Sequence, residues 1–178
     1  LGEQAAAAVT GLYLPNWFLE GDAVVTETAL SHSGRGRTAN FSMAYRAQLL
    51  EKGKYSFDKA YLGSYKDFVT DYYKLGYWMV GETRALYGSE TWSKALKRIG
   101  SQPFSLTPLN SSLKKTTKQT SKQLYDSIFN HLKNSWQNTL KSRTIDSLSV
   151  FSPPRKTYTE YLYPKLFHDS LIFAYRKS

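Results

Sequence analysis

Glycine punctuates this chain at helical intervals, and that punctuation favours a succession of short helices. Gly34 with Gly36, then Gly53, Gly88 and Gly100, each follow a segment whose apolar residues recur every three or four positions. Pro15 breaks whatever precedes it, and Asn16 is a suitable N-cap for a helix over 17–31. Asn40 caps a second helix, in which Phe41, Ala44, Tyr45, Gln48 and Leu49 fall at helical spacing before Gly53. A third is expected over 64–87 and a fourth over 89–100, beginning at a capping Ser89. The stretch TPLNSSLKKTT approaches a fifth over 120–141, with Leu124, Ile128, Leu132 and Trp136 on its buried face. Trp17, Phe18, Phe68, Trp78, Leu86, Trp92 and Leu96 are expected inside. Beyond Pro153 and Pro154 the character changes, and HDS before LIFAY reads as the turn of a hairpin. The expected fold class is therefore mainly α, a multi-helix bundle over 1–145. A linker and a short extended or β segment follow over 146–178.

Composition removes several function classes. No cysteine is present, which excludes disulfide scaffolding, thiolate metal ligation and thiol catalysis. No apolar run approaches the roughly 18 residues of a membrane span. The opening LGEQAAAAVTG lacks an initiating Met and reads as a cut within a longer protein, so the lack of a visible leader carries no information. Charge is uneven: residues 1–90 hold nine basic against ten acidic side chains, and residues 91–178 hold fifteen against four. A polyanion partner is one reading of the basic half. The lysines are dispersed along helices, however, among them Lys114, Lys115, Lys118, Lys122, Lys133 and Lys141. They fit solvated faces better than a nucleic-acid groove.

The first complete helix poses a problem. Its sequence, WFLEGDAVVTETALS, carries Glu20, Asp22 and Glu27 on an otherwise apolar segment, with a weakening glycine at position 21. Glu20 and Glu27 are seven apart and share a face, two turns from each other. Burying such carboxylates requires a cation, from a metal or from basic side chains. Otherwise the Glu20 face is exposed and Trp17, Leu19 and Val25 point inward.

The segment WFLEGDAVVTE resembles the third-ligand helix of gluzincin zinc metallopeptidases. A second stretch, YYKLGYWMVGETRALYGSETWSKALKRI, is similar to a later segment of the same clan, and the two together cover roughly residues 13–100. The resemblance implies the C-terminal part of a peptidase domain. Glu20 would be the zinc ligand and Glu27 a nearby support. Tyr73, three before Gly76, would donate to the tetrahedral oxyanion, with Tyr72 or Tyr77 taking that role if the register is shifted. It further implies zinc as cofactor, a peptide or protein substrate and an extracytoplasmic location. The resemblance extends to proteins in which a β-propeller follows the peptidase-like domain. The clan's HExxH is missing from these residues, and His32, His131 and His168 stand alone. The motif is expected upstream of Leu1, or else it has been lost, leaving a binding or scaffolding module. Arg35 and Arg37 of SGRGR could hold a substrate carboxylate or could pair with Asp22, Glu27 or a helix end. No nucleic-acid partner is expected.

Overall fold

The computed structural model describes residues 13–101, 105–142 and 159–177. By its internal contacts the chain divides into two units, Leu1–Arg143 and Thr144–Ser178. The protein is mainly helical, with one short antiparallel sheet near its C-terminal end. Residues 1–12 and the diproline segment lie outside the described residues.

Seven α-helices are described in the first unit. They are α1 (Asn16–Leu30), α2 (Ala39–Glu51), α3 (Phe57–Leu62), α4 (Tyr72–Tyr87), α5 (Thr91–Gly100), α6 (Pro108–Thr116) and α7 (Ser121–Lys141), with a 3-10 turn at Arg35–Arg37. Three expected caps are displaced by a residue or two. Pro15 rather than Asn16 occupies the N-cap of α1, Thr38 rather than Asn40 that of α2, and Glu90 rather than Ser89 that of α5. The helix expected over 64–87 begins only at Tyr72. Ser64 Oγ accepts from the amides of Lys66 and Asp67, a local turn that competes with helix, and the Asp71 side chain then caps α4 by accepting from Lys74. Helix α3 was not expected; Ser56 caps it and Gly63, at φ +88°, ends it. Thr120 and Gln123 form a capping box at the start of α7.

Helices α1 and α4 pack most closely. Gly21 and Gly76 meet at their crossing: a Cβ on Gly21 would stand 2.6 Å from the Gly76 carbonyl oxygen, and one on Gly76 would overlap the Trp17 carbonyl oxygen. The glycine that weakens α1 is thus what lets the two main chains touch. Around the crossing, Trp17 and Phe18 pack against Trp92 at ring distances of 6.2 and 4.7 Å. Phe129 packs on Tyr45 and Tyr125 at 4.9 and 4.5 Å. The Tyr125 hydroxyl donates to the Tyr55 carbonyl at 3.0 Å, and burial pushes its pKa up to about 12.

Of the seven large residues expected inside, Trp17, Phe18 and Trp92 are buried and Trp78 is partly buried against the core. Phe68, Leu86 and Leu96 are exposed. Phe68 belongs to the non-helical stretch before α4, Leu86 to the last turn of α4, and Leu96 to the edge of the buried face of α5 formed by Trp92, Ala95 and Ile99. Lys114, Lys115, Lys118, Lys122 and Lys141 are exposed, and Lys133 is half-buried.

In the second unit, β1 (Glu160–Phe167) pairs antiparallel with β2 (Leu171–Lys177) around His168, Asp169 and Ser170. His168 and Asp169 both have positive φ, the left-handed pair of a primed hairpin turn. A bulge between Leu162 and Lys165 accommodates Pro164, which has no amide to give the ladder.

Candidate functional site

The three carboxylates of α1 have three different fates. Asp22 accepts from Arg84 Nη2 of α4 at 2.6 Å, an ion pair that ties the two helices beside their crossing. Glu27 accepts from Arg35 Nε at 2.9 Å and, more weakly, from the Arg35 backbone amide at 3.4 Å. Glu20, half-buried, has no ion-pair partner among the described residues and stands beside Tyr73 of α4. The Tyr73 hydroxyl is raised above its ordinary value of 10.0. The approach of the Tyr72 side chain contributes most, followed by lost hydration and then the Glu20 charge. Tyr72 and Tyr73 stack with ring centroids 4.9 Å apart.

The glycine contact places these groups. Residue 20 immediately precedes Gly21, and Tyr73 precedes Gly76 by one helical turn, so close approach of the two backbones brings their side chains to one face. The loop after α1 extends this face. Gly36 donates its amide to Thr28 Oγ1 at 3.1 Å, and a Cβ on it would stand 2.6 Å from the Tyr77 hydroxyl. A Cβ on Gly34 would fall 2.9 Å from the Glu27 carbonyl oxygen. Both glycines therefore let the loop lie flat on α1 and α4. The Arg35 guanidinium carbon lies 5.8 Å from the Tyr73 ring centroid. Arg37 Nη2 donates to the Thr28 carbonyl at 2.6 Å.

Glu20, Glu27, Tyr73 and Arg35 are thus brought into one neighbourhood, with Arg37 on the adjoining end of α1. Sequence spacing did not single out Arg84, which neutralises Asp22 from 62 positions away. Tyr72 was legible only as the neighbour of Tyr73. His168 belongs to the hairpin turn of the second unit, and His131 lies on α7 near Glu82, whose carboxyl is raised by burial.

A zinc centre needs three protein ligands and leaves one position open. Among the described residues no three His, Cys, Asp or Glu side chains converge to hold a metal. Glu20 offers a suitable oxygen donor, but the described residues by themselves do not make the centre. Set against known protein families, curated proteins and solved structures, the chain finds no match in any of the three.

Proposed function

We propose that the face carrying Glu20 and Tyr73 is this chain's share of a gluzincin-type zinc peptidase site. The observation that carries the reading is the pairing of a half-buried carboxylate, without a cation among the described residues, with a phenol across the α1–α4 crossing. Glu20 supplies one carboxylate ligand. The histidine ligands and the general base belong to a preceding HExxH segment of the same protein. Bound zinc supplies a water acidified towards neutrality.

The chain's own residues do the rest. Tyr73 has a raised pKa and stays protonated at neutral pH, so it remains a hydrogen-bond donor for an oxygen that becomes anionic as a peptide carbonyl turns tetrahedral. Tyr72 stacks on it and restricts its ring. Glu27 takes its charge balance from Arg35, which keeps a second negative group on the α1 face without leaving it unpaired. The substrate is a peptide or protein, and the setting is extracytoplasmic. The hairpin unit is a short β segment or the start of a β domain.

The test uses the full-length protein and two variants. Glu20→Gln should lose zinc and peptidase activity together. Tyr73→Phe should keep zinc and lose roughly 10²-fold in kcat, the scale of removing one oxyanion donor. Zinc content and activity that survive Glu20→Gln would overturn the assignment. A wild-type protein without zinc would leave the helices as a binding module.

A further inference from the structure

The loop after α1 carries a guanidinium anchored on one edge and open on the other. We propose that Arg35 recognises a substrate carboxylate beside Tyr73, so that the preferred substrates are peptides with a carboxylate close to the bond held there. The proposal rests on the peptidase reading above and names its substrate class.

A guanidinium has two edges that can bind a carboxylate, a side edge that includes Nε and a terminal edge formed by the two Nη groups. Glu27 engages Arg35 through Nε at 2.9 Å, with the Arg35 backbone amide 3.4 Å from the other carboxylate oxygen. Neither Nη has a hydrogen-bond partner among the described residues, and the Arg35 side chain is 52% exposed. The Glu27 contact therefore orients the fork without consuming its terminal edge. That fork lies against Tyr73, with 5.8 Å between the guanidinium carbon and the ring centroid.

Two further features support recognition over a purely structural pair. The loop is held in place: Gly34 and Gly36 flank Arg35 where neither position has room for a Cβ, and the Gly36 amide is bonded to Thr28. A fixed loop lowers the ordering cost of binding. The loop also carries a second cation: Arg37 gives Nη2 to a neutral carbonyl and has no ion-pair partner among the described residues. With Glu20 beside Tyr73, the two guanidinium groups and the two carboxylates of this face balance in charge, so the open edge of Arg35 supplies the recognition.

A substrate carboxylate has two sources, an acidic side chain or a free C-terminus. Three fluorescein-labelled hexapeptides separate them: an alanine-rich peptide amide, the same peptide with a free C-terminus, and the amide with one internal Glu. Equilibrium binding is measured, with a chelator present so that no peptide is cleaved, on the full-length protein and on Arg35→Met, Arg35→Lys and Arg37→Met. The wild type should bind at least one carboxylate peptide about tenfold more tightly than the neutral amide, as a bidentate charge-assisted contact allows. The preferred peptide identifies the source. Arg35→Met should abolish the preference, so that all three peptides bind within about twofold of one another. Arg35→Lys, which keeps the charge and loses the fork, should retain only part of it; it also supplies the readout if Arg35→Met does not fold. Arg37→Met should keep the preference. Equal binding of all three peptides by the wild type, or a preference that survives in both Arg35 variants, overturns the proposal. The binding ratio does not depend on zinc content after Glu20→Gln, so failure here and failure of the peptidase reading are separate results.

Discussion

The helical unit and the C-terminal hairpin use similar residues to opposite ends. In the helices, Trp17, Tyr45, Leu75 and Phe129 are almost completely removed from solvent. In the hairpin, Leu171, Phe173 and Tyr175 of β2 are 54, 61 and 63% exposed. Hydrophobic character is thus not what distinguishes them. A helix gathers its apolar residues on one stripe, and several helices can surround a common interior. Among the described residues of its unit the two-stranded ribbon has two faces and no second layer, and LIFAY places apolar groups on both faces. The lesson is that burial follows from how many elements share an interior, and apolar content alone does not determine it.

Four measurements test how far that contrast holds. The largest effect is expected for Phe129→Ala, which empties the space between Tyr45 and Tyr125. It should cost about 3–5 kcal/mol, seen as a fall of roughly 10 °C in the melting of the helical unit. Next comes Gly76→Ala, worth about 3 kcal/mol of destabilisation, because the added methyl meets the Trp17 carbonyl and neither backbone can yield cheaply. At an open helical position the same change would stabilise, so a rise in melting temperature would refute the tight crossing.

Tyr125→Phe should be milder, costing about 1 kcal/mol near pH 8 through the lost bond to the Tyr55 carbonyl. Its pH dependence has a definite sign. The folded pKa of Tyr125 is raised from 10.0 to about 12, so its contribution is whole below pH 10 and is lost as pH climbs through about 12. The gap between wild type and variant should therefore close with rising pH, as followed by urea titration. The smallest effect is expected for Phe173→Ser, within about 0.5 kcal/mol for the helical transition. A loss as large as that of Phe129→Ala would mean that the hairpin is covered in solution.

Much of the helical plan was legible because periodicity and stop signals agreed. Gly53 and Gly88 end α2 and α4 with positive φ, and Thr120, expected to open the last helix, stands at its N-cap. Helix starts were less legible where Ser, Thr, Asp and Asn cluster, since several neighbouring side chains can cap and the choice depends on the final backbone. The stretch before α4 shows the cost: Ser64 turns the chain locally, and Phe68 goes with it to the surface. The hairpin turn was visible in HDS, whereas the left-handed Tyr163 at the bulge was not. At the candidate site, Glu20, Glu27 and Tyr73 could be picked out along the sequence. Their charge partners could not all be assigned, because Arg84 reaches Asp22 only once α1 and α4 have crossed.

The Gly21–Gly76 contact has a consequence beyond stability. Side chains in an interior can answer a nearby change by choosing another rotamer, so distances that depend on them drift. Two main chains in contact have no rotamers to choose. The spacing of residues 20 and 73 is therefore gauged by peptide planes, and a change elsewhere in the core can reach it only by moving a whole helix as a rigid rod. Two absent methyl groups act as the spacer that holds the site's scale constant.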